Sequence, residues 1–188
     1  GGSARAATLA MGGTHADLGG AASPGLQPLK DIHERAGARF AAGWLAGLCT
    51  QEGVTMTPAL KANLWDAIQS LASAPVAERT LTGLTLMLQE EMLRSALHPF
   101  TLDGPHGRLL DADEESLSLA DTVCFEMEEL MHAKGAAAPV ITYLFHRLEA
   151  RFDGRPTLLI LDEAWVFLDD VMFAARLREW LKTLRKKN

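Results

Sequence analysis

The spacing of hydrophobic positions changes near residue 100 of this chain. Between about Asp31 and Pro99, large apolar residues recur every three or four positions, which predicts amphipathic helices. From Phe100 onward, short apolar runs alternate with helical patterns, which is typical of a parallel sheet with right-handed crossovers. The pattern therefore predicts an α/β protein that carries a small all-helical insertion.

Three helices are expected in the insertion. Asp31 can cap the first, and Thr57-Pro58 starts the second with threonine at the cap and proline at the first helical position. The third begins at Thr80 or Thr82 and ends before His98, which precedes a proline. The pattern divides the chain into residues 1–30 (a strand and loop of the core), 31–99 (the helical insertion) and 100–188 (the rest of the core).

The two flanking regions are expected to supply the sheet and its crossover helices. The glycine-rich loop Asp103–Gly107 lacks a lysine and is expected to be a tight turn. The expected strands are Ala6–Met11, Arg108–Leu110, Thr122–Met127 and Thr157–Leu161, and the expected helices are Pro139–Arg151 and Val171–Lys187.

The stretch from Leu158 to Glu163 carries the strongest indication of chemistry. Four consecutive large aliphatic residues run directly into Asp162 and Glu163. An unbroken apolar run suits a strand buried on both faces of a parallel sheet, and such sheets place their chemistry at the carboxyl ends of their strands. This order is typical of the Walker B strand of a nucleotide hydrolase, although a buried strand that ends in a polar turn has the same pattern.

In the Walker B interpretation the two acids have separate tasks, because successive side chains of a strand point in opposite directions. Asp162 would hold the Mg²⁺ ion that neutralises the nucleotide phosphates. Glu163 would orient and polarise the attacking water, which makes it the predicted catalytic residue.

Several segments resemble one known family, in the same order along nearly the whole chain. Asp162-Glu163-Ala164-Trp165 and the basic helix after it are similar to the CagE/TrbE/VirB family of type IV secretion ATPases. The same holds for Pro99–Pro105, Gly107–Asp111, Cys124–Met131 and Tyr143–Glu149.

The resemblance implies a RecA-like P-loop NTPase motor domain that hydrolyses ATP with Mg²⁺ in a conjugative type IV secretion system. It implies that the protein powers pilus assembly or the transfer of DNA or protein. It also implies self-association, expected as a hexameric ring, and contact with other secretion components. The expected location is the bacterial cytoplasm, at the inner membrane through partners. Direct DNA contact stays open.

One departure from that family concerns the phosphate-binding loop. Such a loop needs a glycine-rich turn that ends in Gly-Lys-Ser/Thr, and this sequence contains no Gly-Lys pair. We therefore expect an internal fragment that carries only the Walker B half of a nucleotide site.

The final helix is predicted to bury one face and expose basic side chains on the rest. Arg178, Lys182 and Arg185 are the predicted nucleotide-binding cations, in contact with phosphate or with the acidic face of a neighbouring subunit. The alternative is an ordinary solvated basic surface. The apolar stripe that would pack on the sheet consists of Phe173, Leu177, Trp180 and Leu184.

Composition and charge limit the classes of protein to which the sequence can belong. The 188 residues are 48% hydrophobic and 22% charged with a net charge of -6, which argues against a protein that wraps nucleic acid. The two cysteines form no C-x-x-C pair, which favours a reduced cytoplasmic protein. No apolar stretch approaches the roughly 20 residues that a membrane-spanning helix needs. Two alternatives to the secretion ATPase remain: a non-catalytic assembly or docking module, and a DNA-translocating ATPase of the coupling-protein type.

Overall fold

The computed structural model describes residues 2–133, 135–161, 174–175 and 177–182. The chain divides into two compact units, Gly1–Pro139 and Val140–Asn188. Mixed helix and parallel sheet in the described residues are compatible with the predicted α/β class.

The described sheet has two parallel strands, β1 (Thr14–Asp17) and β2 (Val123–Glu126). Thr14 lies opposite Val123, and Asp17 lies opposite Glu126 at the carboxyl ends. The predicted strand over Thr122–Met127 is confirmed by β2.

Helix α1 (Gly2–Ala10) precedes β1, so the strand predicted over Ala6–Met11 is wrong. The segment is rich in alanine, the best helix former, and this propensity outweighs its short apolar run. Gly12, with a φ of 72°, follows the helix in the left-handed conformation that glycine adopts without strain.

The first two helices of the predicted insertion are α2 (Arg35–Gln51) and α3 (Pro58–Ala72). The Thr57 cap is confirmed, since its hydroxyl accepts a hydrogen bond from the Leu60 N–H at 3.3 Å. Asp31 does not cap α2; its backbone carbonyl instead accepts from the Glu34 N–H in a turn before the helix.

The predicted third helix is broken into α4 (Leu81–Met87) and α5 (Glu91–Leu97). Of the two predicted starts, Thr80 and Thr82, it is Thr80 that caps α4, through a 2.9 Å hydrogen bond from the Gly83 N–H. The break lies at Leu88, whose backbone is extended and whose side chain is buried. The extended backbone ends α4 at this residue, and burial of the Leu88 side chain offsets the loss of the helical hydrogen bonds there.

A tight turn connects the 3₁₀ helix His98–Phe100 to α6 (Gly107–Leu110). The His106 N–H donates to the Pro99 carbonyl at 3.0 Å, which closes the predicted turn. The strand predicted over Arg108–Leu110 is wrong, because these residues form a single helical turn with both leucines buried.

Asp111, directly after α6, is a buried carboxylate that ties together separate parts of the first unit. It accepts hydrogen bonds from the Leu81 and Thr82 N–H groups at the start of α4, and from the Thr82 hydroxyl. It also accepts from the Leu102 N–H at 2.9 Å. One side chain thus satisfies orphan donors of a helix start and a loop donor.

Helices α7 (Glu128–His132) and α8 (Ala137–Glu149) follow β2, and α8 confirms the helix predicted over Pro139–Arg151. The buried strand predicted over Thr157–Leu161 is not present: these residues carry no strand and are exposed. Leu158 is 84% and Ile160 77% exposed. A strand needs hydrogen-bonded neighbours, and the described sheet consists of β1 and β2 without this run.

We predict that Asp111→Ala destabilises the protein by about 2–4 kcal/mol, because the buried Leu81 N–H and the partly buried Thr82 and Leu102 N–H groups lose a charged acceptor. Urea unfolding followed by circular dichroism measures this. Asp113→Ala is the matched control, since Asp113 is exposed two residues away and is expected to change stability by less than about 0.5 kcal/mol. Equal effects of the two substitutions would contradict the anchoring role of Asp111.

Candidate nucleotide site

The predicted site residues fall partly outside the described structure. Asp162, Glu163 and Arg185 lie outside the described residues. Arg178 and Lys182 are described, and both are exposed on a helical segment. Two of the three predicted cations are therefore the described part of the predicted site.

The C-terminal helical segment comprises the described residues 174–175 and 177–182. Ala174, Leu177 and Trp180 are buried along one side of it. The Trp180 ring stacks on Phe145 of α8, with ring centroids 4.1 Å apart and planes inclined by 3°. The predicted apolar stripe is confirmed at Leu177 and Trp180, whereas its other two members lie outside the described residues.

Arg178 and Lys182 are four positions apart, so they lie on one face of this segment. Both side chains are exposed to solvent. Two adjacent exposed cations can bind a phosphate group or a carboxylate surface.

The segment before the predicted acid pair is exposed on the second unit. Asp153 and Arg155 form an ion pair at its start, with 2.8 Å between Nε and Oδ2. The hydrogen bond from the Arg155 backbone N–H to Asp153 lowers the pKa of that carboxyl group. The apolar run up to Leu161 follows directly and leads into Asp162.

In the first unit, the carboxyl ends of β1 and β2 place Asp17 and Glu126 side by side. After β1 the chain turns through Gly19, whose φ is 88°. A Cβ on Gly19 would lie 2.8 Å from the Leu130 backbone nitrogen, so only glycine allows the turn to approach α7 so closely.

The sequence between Arg108 and Lys134 contains eight acidic residues and no Lys or Arg, but these acids do not all lie on one solvated surface. Asp111 is buried in its hydrogen bonds, and Glu115 accepts from the Gln27 N–H at 3.2 Å and the Leu117 N–H at 3.1 Å. The charge pattern alone does not distinguish these two acids from their exposed neighbours. The one feature of the sequence that indicates burial of Asp111 is its position directly after two leucines.

The described part of the chain contains neither a membrane-spanning helix nor a cluster of metal ligands. No helix there combines the length and the apolar character needed to cross a bilayer. No group of three or more His, Cys, Asp or Glu side chains there is arranged to hold a metal ion. The predicted Mg²⁺ ligand, Asp162, lies outside that part.

Known proteins resemble this chain over nearly all of its length, although no family model matches it. A probable conjugal transfer protein TrbE of Sinorhizobium fredii is 41% identical over 187 residues, which cover 96% of this chain and 28% of the relative. The conjugal transfer protein TrbE of Rhizobium radiobacter is 40% identical over 196 residues, covering 100% and 24%. The type IV secretion system protein virB4 of Bartonella quintana is 30% identical over 184 residues, covering 95% and 24%.

The chain is thus related to proteins of conjugal transfer and type IV secretion systems. It is a homologue of TrbE and of VirB4, which confirms the family resemblance of its motifs. The chain spans about a quarter of the length of these relatives.

We predict that Trp180→Ala destabilises the second unit by about 3 kcal/mol, because it removes the stacked ring from Phe145 and leaves a cavity. Thermal unfolding monitored by near-ultraviolet circular dichroism measures the loss. Arg178→Ala, two residues away and exposed, is the control and should leave the midpoint nearly unchanged. If Arg178→Ala cost as much as Trp180→Ala, the assignment of buried and exposed faces would be wrong.

Proposed function

We propose that this chain is a section of the motor ATPase domain of a conjugative type IV secretion system, with a RecA-like P-loop fold. The observation that carries the proposal is homology to TrbE and VirB4 over 95–100% of the chain. The parallel pairing of β1 and β2 supports an α/β core, and the order Leu-Leu-Ile-Leu-Asp-Glu in the sequence supports a Walker B site.

The proposed chemistry is hydrolysis of ATP. Asp162 would hold Mg²⁺, which neutralises phosphate charge when bound, and Glu163 would position the attacking water. The phosphate-binding loop would come from outside this sequence, because the chain holds no Gly-Lys pair.

Arg178, Lys182 and Arg185 are the proposed cations. Arg178 and Lys182 fit a phosphate by charge, since both are exposed on one helical face. The same two charges fit the acidic face of a neighbouring subunit. Contact with phosphate would bring positive charge to a site where negative charge develops, and contact with a neighbouring subunit would hold two subunits together.

The proposed setting is a ring of identical subunits, expected to be hexameric, that works at the bacterial inner membrane. There it would contact other secretion components and would power pilus assembly or the transfer of DNA or protein. The names of the relatives, which refer to conjugal transfer and type IV secretion, support this setting.

We predict that Glu163→Gln in the full-length protein leaves ATP binding intact and lowers turnover well over tenfold. The amide keeps the shape of the carboxylate but does not orient water in the same way, so the loss lies in the transition state. Steady-state ATPase assays and nucleotide titration measure the two quantities separately.

Glu114→Gln is the matched control for this substitution, because Glu114 is exposed and lies in the first unit. It should leave turnover unchanged. Turnover of Glu163→Gln within about tenfold of wild type, equivalent to about 1.4 kcal/mol of barrier, would remove Glu163 from the catalytic role.

We further predict that the 188-residue chain by itself binds ATP only weakly, because the lysine and backbone amides of a phosphate-binding loop are missing from its sequence. Titration with a fluorescent ATP analogue tests this. Micromolar affinity of the isolated chain would show that its own residues form a complete phosphate site.

A further inference from the structure

The corner between α4 and α5 exposes large apolar side chains. Leu86 is 81% exposed and is followed by exposed Met87, and Met92 is exposed in the first turn of α5. Leu102 is also exposed, and its backbone lies beside the first turn of α4, because its N–H donates to the Thr82 hydroxyl at 3.2 Å. We call Leu86, Met87, Met92 and Leu102 the apolar corner.

The backbone under the apolar corner is held in place by Arg94. Its guanidinium donates to the Leu88 carbonyl at 2.7 Å and the Gln89 carbonyl at 3.3 Å, and it pairs with Glu91 at 2.6 Å. These contacts satisfy carbonyl groups at the end of α4. The corner is therefore a preformed surface, and methionines make such a surface adaptable to an apolar partner.

The edge of the apolar corner is acidic. Glu90 and Glu91 lie between Met87 and Met92, and Asp103 follows Leu102. All three carboxylates are exposed, and Arg94 is the one cation described within this stretch of α4 and α5. A partner that combines an apolar side chain with flanking positive charges would complement both features.

The C-terminal helical segment of this same protein has that combination on its exposed face. Leu181 is 45% exposed although it is large and apolar. Arg178 precedes it by three positions and Lys182 follows it, so one helical face presents an apolar side chain beside two cations. Helices of this kind bind apolar grooves through residues at these spacings.

We propose that the apolar corner of one copy binds the Arg178–Lys182 face of a second copy of this protein. Leu181 packs on Leu86 and Met92, and Glu90 and Asp103 face Arg178 and Lys182. The contact joins two different surfaces, so it is heterologous and builds a closed ring or an open filament. It deepens the proposed contact of Arg178 and Lys182 with the acidic face of a neighbouring subunit and rests on that part of the proposed function, but it holds whether or not the protein hydrolyses ATP.

Cross-linking between two differently tagged full-length proteins tests the contact. One protein carries Met92→Cys and the other Leu181→Cys, in a background without other reactive thiols. Cys49 can stay, since it is buried and burial raises its pKa to about 11. A short thiol cross-linker is expected to join the two tagged proteins. Glu78→Cys, exposed outside the apolar corner, replaces Met92→Cys as the control and should give no product with Leu181→Cys.

Two outcomes would overturn the proposal. One is the absence of a mixed product at protein concentrations at which the wild type self-associates. The other is a Met92→Cys/Leu181→Cys double variant that cross-links only within one chain, which would make the contact intramolecular.

A charge exchange provides the second, independent test. Arg178→Glu with Lys182→Glu should weaken self-association by about tenfold or more in sedimentation equilibrium, and Glu90→Lys with Asp103→Lys should do the same. All four substitutions together should restore it, because opposite charges again face each other. If the combined variant associates as weakly as either pair alone, these surfaces do not meet. Unchanged ATPase activity of the Glu90→Lys/Asp103→Lys variant alongside lost association would separate this contact from the proposed hydrolysis, because neither residue belongs to the proposed nucleotide site.

Discussion

The buried carboxylate of Asp111 is the interaction on which the first unit depends most. It accepts hydrogen bonds from donors at the start of α4 and from the Leu102 N–H, so a helix and a distant turn share one acceptor. A buried carboxylate is tolerated only when its oxygens are well supplied with donors, as they are here. The position of α4 relative to the turn, and with it the apolar corner, follows from this side chain.

A second constraint is that strands need neighbours. The pair β1 and β2 alone is at the lower limit of what forms a stable sheet. Leu158–Leu161 has the sequence of a strand buried on both faces, yet the described residues give it no ladder partner and its side chains are exposed. Sequence shows that the run is suited to a sheet, whereas strand formation requires hydrogen-bonding partners that a one-dimensional pattern does not reveal.

Local signals are sufficient where a single residue sets the structure. Thr57 caps its helix as predicted, and Thr80, one of two predicted starts, caps α4, because a hydroxyl at the cap satisfies free N–H groups whatever the tertiary context. The strand β2 and the helix α8 are also predictable from local sequence, because each carries a clear periodic pattern of apolar residues.

Tertiary contacts decide the elements for which the sequence prediction is wrong. The break at Leu88 depends on burial of that side chain and on Arg94, six residues later, which donates to its carbonyl. Arg108–Leu110 is apolar enough for a strand, but the turn before it and Asp111 after it close a single helical turn. At the candidate site, the exposed positions of Arg178 and Lys182 follow from the helical period. The roles of Asp162 and Glu163 remain predictions from sequence order and family resemblance.

If this sequence supplies one half of a nucleotide site to a larger ATPase, bound nucleotide must lie next to its C-terminal residues. Photo-cross-linking of the full-length protein with an ATP analogue that carries an azidoanilide group on its γ-phosphate, in the presence of Mg²⁺ and followed by peptide mapping, is the sharpest test. We expect labelled peptides from residues 155–188 that disappear when unmodified ATP competes. ATP-competable labelling confined to peptides outside this sequence would contradict the proposed site.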